Sequence, residues 1–395
     1  MKLPRLITAL LLAVALPLAS AGPLTVANGK FMKDGKPFYG VGVNYFDGFT
    51  RFLASNDTSY KVGLATLAAN KVPYIRMNTF GYWPDEVTKR YLANKQIFYY
   101  RLDQFMNEAA TRKVGVILNL FWNYTVLVDI SKETMPAWAV QSSETRKLMR
   151  TITAEIATRY KNHPALWGWE YSNEANSFMD LPNYSNNYQY LPPKVPGTVS
   201  TRTTSDNFNP AVILAGLADF AKTIRIIDPV VPIFSGHNIT RATAYHLQTN
   251  NWTQDTPAQF GEMLSRDNVM DTSGVPPDVN TLTMHIYANS EGTFFNDPNS
   301  KFADIVAAAM SRSATDGRPF FLGEFGTDSA LMGADPAKVK FYEMTDAIIA
   351  NRVQMSTLWV YDFKYLEGSY NVTSTNARAY QLEKLKQMNT LMATW

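Results

Sequence analysis

The 395-residue chain is long enough for one large domain or two small ones, and a 46% share of hydrophobic residues supports an ordinary globular core. Its 37 basic and 34 acidic residues leave a net charge of +3, which points to neither nucleic acid nor an anionic membrane as a partner. The absence of cysteine excludes disulfides, a thiolate nucleophile, a lipoprotein anchor and cysteine-held metals.

Met1 to Ala21 reads as a secretory leader. Lys2 and Arg5 form its basic start, Ile7 to Leu18 its apolar run, and Ala19, Ser20 and Ala21 a small-residue cleavage site. The apolar run is too short to span a bilayer. Cleavage near Ala21 would release a soluble protein, secreted or periplasmic, with 35 basic against 34 acidic residues. Residues 22–395 read as one catalytic domain. Glycosylation sequons stand at Asn56, Asn123, Asn183, Asn238, Asn251 and Asn371. Asn123 falls on the expected active-site rim, where a glycan would obstruct substrate, so the source is read as bacterial.

Short β-rich apolar runs then alternate with amphipathic helical stretches, the pattern of a parallel sheet covered by helices. Strands are expected at Pro37–Asn44, Val72–Asn78, Val114–Leu120, Leu166–Ser172, Val231–Ser235, Thr281–Ile286, Phe320–Gly323 and Met355–Val360. Helical spacing appears in Tyr60–Ala69, Tyr99–Arg112, Ser143–Tyr160, Pro210–Ile227, Lys301–Ser313, Pro336–Asn351 and Ala377–Leu391. Eight strands with intervening helices predict an α/β fold, a (β/α)8 barrel with long βα loops. Asn176 to Phe208 follows the fourth strand and is expected to be a functional loop on the catalytic face. Gly236 to Asn280 has no clear pattern.

Two apolar strands run straight into glutamates. One ends Trp167-Gly-Trp-Glu-Tyr-Ser-Asn-Glu174, the other Phe320-Phe-Leu-Gly-Glu324. In a barrel, such positions face the mouth where substrate binds. Two carboxylates on opposing strand ends suit glycosidic cleavage. One protonates the leaving oxygen, while the other attacks the sugar or activates water.

These segments resemble the glycoside hydrolase family 5 endoglycanases, barrel enzymes with glutamates on strands four and seven. The resemblance runs from about Phe38 to Trp359. It implies that Glu174 is the acid/base and Glu324 the nucleophile. It further implies that Arg76 orients the nucleophile and that Asn173 bonds the sugar 2-hydroxyl. His285 and Tyr287 match the family's strand-six His-X-Tyr pair, and Trp359 matches the strand-eight floor of the sugar site. The family's frequent strand-three histidine is missing. Ile117-Leu-Asn-Leu-Phe-Trp122-Asn-Tyr stands there instead, closer to the β-mannanase branch, as are Trp169-Glu-Tyr-Ser-Asn-Glu174 and the Arg101-Leu-Asp-Gln-Phe helix. The resemblance implies a retaining β-1,4-glycanase, best read as an endo-mannanase, with cellulase or a non-catalytic sugar-binding barrel as alternatives. It is expected to act as a monomer on β-linked poly- or oligosaccharide, with no cofactor, metal, nucleic acid or membrane.

In this scheme Arg76 and Tyr287 keep Glu324 ionised, and the nearby negative charge keeps Glu174 protonated. Retention predicts carboxyl groups about 5–5.5 Å apart. Glu170 shares a strand face with Glu174 and is read as a structural carboxylate that needs a buried partner. His163 is read as structural, His237 as a possible cleft residue, and His246 has no context. Tyr82, Trp83, Trp122, Tyr124, Trp138 and Trp252 are candidate sugar platforms or rim packing.

Overall fold

The computed structural model describes residues 23–80, 87–181, 186–191, 201–269 and 278–395. The leader, Tyr82, Trp83 and Asn183 lie outside the described residues.

Eight parallel strands form the centre: β1 (Gly40–Asn44), β2 (Tyr74–Asn78), β3 (Gly115–Phe121), β4 (Leu166–Ser172), β5 (Ile233–Phe234), β6 (Leu282–Tyr287), β7 (Phe320–Gly326) and β8 (Met355–Leu358). Their hydrogen-bonded order is 5-4-3-2-1-8-7-6, a nearly closed (β/α)8 barrel. Nearly every strand residue is buried, because side chains face either the barrel interior or the helices. That is why these strands read as apolar runs rather than alternating patterns.

The helices surround the sheet. Pro210–Ile227 starts from Asn209, whose side chain accepts from the Val212 amide at 3.2 Å, with Pro at the first turn where no donor is needed. Its buried face carries Ile213, Leu217, Phe220 and Ile224, the three-and-four spacing of a core-facing helix. Each such side chain contributes about 1.5–3 kcal/mol by leaving water. Among the described residues, the unpatterned stretch after β5 contains a short helix, Ala244–Leu247, and a longer one, Pro257–Asp267, opened by a Thr256–Gln259 capping box.

Among the described residues, the β5–β6 edge lacks a ladder. A buried side chain bridges it. Asn268 Oδ1 accepts from Ser235 Oγ at 2.7 Å and from the Thr283 amide at 3.0 Å, while its Nδ2 donates to the Leu264 carbonyl at 2.9 Å. Thr281 Oγ1 adds a bond to the Ile233 carbonyl at 2.7 Å.

The first expected strand divides in two. Its Pro37 end belongs to a small antiparallel sheet, Thr25–Ala27, Lys30–Lys33 and Lys36–Pro37. Leu24 and Phe31 from that segment pack on Tyr74, Ile117, Trp167, Phe234, Phe321 and Met355, closing the barrel end where β2, β3, β4, β7 and β8 begin. Strand β7 runs three residues beyond its expected end to Gly326, and β8 stops at Leu358. The peptide bond after Trp359 is cis.

Candidate active site

The carboxyl ends of the strands converge on one guanidinium. Arg76, on β2, is fully buried. Its Nε donates to Glu170 Oε2 at 2.6 Å; its Nη1 donates to Glu324 Oε1 at 2.7 Å and to Asn44 Oδ1 at 2.9 Å; its Nη2 donates to Asn173 Oδ1 at 2.8 Å. Arginine suits this node because its planar fork offers five donors and stays charged when buried. The Trp122 ring covers it, with the guanidinium carbon 4.4 Å from the ring centre. Glu170 also accepts from Asn119 Nδ2 at 2.8 Å, so the buried carboxylate has the partner its position demands.

Glu324 receives a second donor, the Tyr287 hydroxyl, on Oε2. His285 Nδ1 lies 3.0 Å from Glu174 Oε1 and 3.6 Å from Glu324 Oε1. One ligating atom each from Glu174, His285 and Glu324 fall within 4.8 Å of one another. Arg76 and Tyr287 already occupy both oxygens of Glu324, so an ion bridging the three would compete with a resident cation. The donor set fits proton chemistry better than metal binding.

Backbone geometry aims Glu174. Its φ is +51°, a left-handed value that costs a non-glycine residue of order 1–3 kcal/mol. The Gly236 carbonyl holds it by accepting the Glu174 amide at 2.8 Å. Gly236 has φ +73°, and a Cβ there would lie 1.8 Å from the Ser172 carbonyl oxygen, so no other residue fits.

Burial sets the titration. It pushes Glu174 up to about 7, opposed only by Arg76. This replaces the expected cause, the neighbouring carboxylate. Because 31% of the Glu174 side chain faces the cleft, solvent moderates the shift until a substrate fills the space. Burial also raises Glu324, against the expectation that it is held low, although His285, Arg76 and the Tyr287 hydrogen bond all oppose it. His285 is pushed down to about 3 by burial and is therefore neutral. Arg76 and the Tyr287 hydroxyl favour charge on Glu324, whereas Arg76 alone favours it on Glu174, so the first proton of the pair resides on Glu174.

Above this network opens a cleft of about 510 Å³. Nine of its fifteen lining residues are aromatic: Phe46, Trp122, Tyr124, Phe178, Tyr190, Tyr287, Trp359, Phe363 and Tyr365. Trp122 and Trp359 stack with centres 5.9 Å apart and planes at 28°, and Phe46 packs edge-on to Trp122 at 4.7 Å. Flat apolar rings edged by carboxylates and amides suit a sugar, which has apolar faces and a polar rim.

The profile of the family described as cellulase (glycosyl hydrolase family 5) matches residues 32–364. The chain belongs to glycosyl hydrolase family 5. It is a retaining glycoside hydrolase of a family that acts on β-linked polysaccharides. The solved structures it resembles include the endo-1,4-β-mannanase of Rhizomucor miehei, at 15% identity and TM-score 0.68, covering 95% of this chain and 100% of that one. The catalytic domain of Thermobifida fusca endoglucanase Cel5A with cellotetraose matches at 16% identity and TM-score 0.56, over 92% and 97% of the two chains. An exo-β-1,4-mannosidase from an Opitutaceae bacterium matches at 15% identity and TM-score 0.59, over 93% of this chain and 63% of that one. No curated protein sequence matches. At these identities the structural likeness concerns the fold.

Within this family 5 enzyme the structure brings together Glu174, Glu324, Arg76, Asn173, His285, Tyr287, Trp359 and Trp122. Tyr124 also lines the cleft. Trp138 does not: it is fully buried against Tyr171 and is core. Trp252 is exposed and outside the cleft. His237 is fully buried and outside the cleft lining. His163 holds Asn107 and the Ala165 amide in a turn, and His246 pairs with Asp255 at 2.8 Å.

Sequence reasoning passed over Phe46, Phe178, Tyr190, Phe363 and Tyr365, which sit in loops without motif. Their loops were legible as βα connections, but which rings turn inward was not. Asn44 and Asn119 were also missed. Their signal was position, each being an amide on an otherwise apolar strand that must find a buried partner.

Proposed function

We propose that this family 5 enzyme is an exported, monomeric endo-β-1,4-mannanase with Glu324 as nucleophile and Glu174 as acid/base. The observation that carries the roles is the asymmetry of the two glutamates. Arg76 and Tyr287 donate to Glu324, whereas the Glu174 carboxylate hydrogen-bonds, among the described residues, to the neutral His285. Their ligating atoms lie within 4.8 Å of one another, which supports direct attack at about 5–5.5 Å over the wider spacing of about 6.5–9.5 Å that an inverting enzyme uses.

In the first step a Glu324 oxygen bonds to the anomeric carbon as the glycosidic C–O bond breaks, and Glu174 gives its proton to the departing oxygen. In the second, Glu174 takes a proton from water, the hydroxide bonds to the same carbon, and Glu324 leaves. Arg76 uses Asn173 Oδ1, which leaves the Asn173 amide donors for the sugar 2-hydroxyl. A neutral His285 adds no charge that would hold the Glu174 proton in place or expel it early.

Mannan is favoured by Trp122 and Asn123 in the cleft where a β3-end histidine is absent, and by mannan-active enzymes among the structural neighbours. Glucan is the second reading, supported by the cellotetraose-bound endoglucanase. Export rests on the Met1–Ala21 pattern. The test is reducing-sugar release by wild type and Glu324→Ala from mannan, glucomannan, carboxymethyl cellulose, mixed-linkage glucan and xylan. Release from mannan by wild type alone supports the proposal. Release only from carboxymethyl cellulose or mixed-linkage glucan moves it to the second reading, and equal behaviour of the two proteins overturns the role of Glu324.

A further inference from the structure

Phe46 is the hub of an aromatic wall in the cleft. Its ring centre lies 4.7 Å from that of Trp122, 4.9 Å from Phe363 and 5.9 Å from Trp359. Phe46, Val360 and Phe363 form a hydrophobic cluster of their own, apart from the main core. Two loops build it, since Phe46 follows β1 whereas Trp359, Val360 and Phe363 follow β8. The Trp359 amide donates to the Phe325 carbonyl at 2.9 Å, so the wall stands beside Glu324.

The β1–β8 ladder ends at Val43 and Leu358, before either loop reaches the wall. Beyond it the Tyr361 amide donates to the Asn44 carbonyl at 2.9 Å, and then a side-chain tie takes over. Arg51, on the helix Gly48–Ser55 that follows Phe46, donates from Nη2 to Asp362 Oδ2 at 2.7 Å. The hydroxyl of the buried Tyr45 donates to the same oxygen at 3.3 Å. Asp362 has φ +51°, a left-handed value that the surrounding contacts must impose on it. It directly precedes Phe363, so the tie ends at the wall. Arg51 and Asp362 keep 20% and 28% of their side chains exposed, and a pair so open to solvent adds little to stability. What it fixes is the place of one loop against the other.

A second carboxylate is near. Asp47 Oδ2 lies 3.3 Å from Arg51 Nε. Asp47 belongs to the same loop as Arg51, so this contact joins nothing across the strands. Burial pushes its carboxyl up to about 7, although Arg51 opposes the shift.

Resting on the glycosidase reading above, we infer that Arg51 and Asp362 are positioning residues for the reaction. Their ion pair sets the β8 loop against the β1 loop, so that the wall of Phe46, Trp359 and Phe363 presents the attacked sugar to Glu324. Neither side chain lines the cleft, and both act through the rings.

The experiment uses Arg51→Met, which keeps the apolar stem, and Asp362→Gly, which accepts the positive φ without strain. Each variant and the double are compared with wild type in kcat/KM on the tetrasaccharide of the polymer that wild type cleaves. They are also compared in the far-ultraviolet circular dichroism couplet of the stacked Trp122 and Trp359 rings, assigned as the band lost in Trp359→Phe. Each single variant should lose roughly 10-fold in kcat/KM, short of the ~100-fold that a misplacement of about 1 Å can cost. The double should lose no more than the worse single, as for two residues acting through one contact. The couplet should weaken in all three, while urea midpoints stay near that of wild type. Below pH 7, Asp47→Asn replaces a carboxyl already protonated there and should behave as wild type.

An unchanged couplet, an unchanged kcat/KM, losses that multiply in the double variant, or a loss in Asp47→Asn equal to that in Arg51→Met would each overturn the positioning role. A wild type inactive on every polymer would overturn the glycosidase reading instead. The couplet needs no turnover and would still report whether the pair sets the wall.

Discussion

Arg76 and Glu170 form an ion pair 2.6 Å long in which neither side chain has any exposed surface. Glu170 therefore serves the site without entering the cleft. It offsets part of the charge that Arg76 presents to Glu324 and holds the guanidinium through its Nε. Removing one member of a buried pair leaves the other uncompensated, at about 3–5 kcal/mol. Glu170→Leu should lose that much stability in urea denaturation, whereas Glu324→Gln, which sits at the cleft and keeps a polar side chain, should lose far less.

The Tyr287 hydroxyl favours the ionised form of Glu324. Tyr287→Phe removes that donor, so the Glu324 pKa should rise and the acid limb of the kcat/KM profile should move to higher pH. A positioned donor of this kind is worth about 10²–10³ in rate where it is strongest. A loss of rate with an unmoved acid limb would assign Tyr287 to substrate binding instead.

Glu174 must carry a proton to start the reaction, and its pKa is pushed up to about 7. Activity should fall as pH rises through that value, on the alkaline limb. Stability follows the same group. Unfolded, the carboxyl returns to about 4.5, so between 4.5 and 7 the folded protein holds the proton and the unfolded chain releases it. The contribution is complete below pH 4.5 and is lost as pH rises to 7. Glu174→Gln should flatten that part of the stability–pH curve, measured by denaturation midpoints across the window.

Asn268 stands in for the missing β5–β6 ladder. Asn268→Leu leaves the Thr283 amide and the Ser235 hydroxyl without their buried partner, and each orphaned group costs about 1–3 kcal/mol. The Thr283 amide should exchange with deuterium much faster than in wild type, while the β2–β3 amides keep their protection. Unchanged exchange at Thr283 would show that β7 and the helices hold β6 without Asn268.

The sequence by itself determined the barrel and its two glutamates. Strands buried on both faces must be short and apolar, helices must carry one apolar face, and a polar residue at the end of such a strand can only look into the mouth. Those local constraints made β2, β4, β6 and β7 readable together with Arg76, His285 and Glu324 on them and Glu174 just after β4. Strand β5, two residues long, and the helix Pro257–Asp267 left weaker traces, because the polar segment around them is stabilised by side-chain bonds such as those of Asn268, which have no period. Only the tertiary structure decided that Glu170 partners Arg76, that burial sets the Glu174 pKa, and that Phe178 faces the cleft while Trp138 enters the core. Each of these depends on which distant residues meet and how much water they exclude, and no spacing along the chain encodes that.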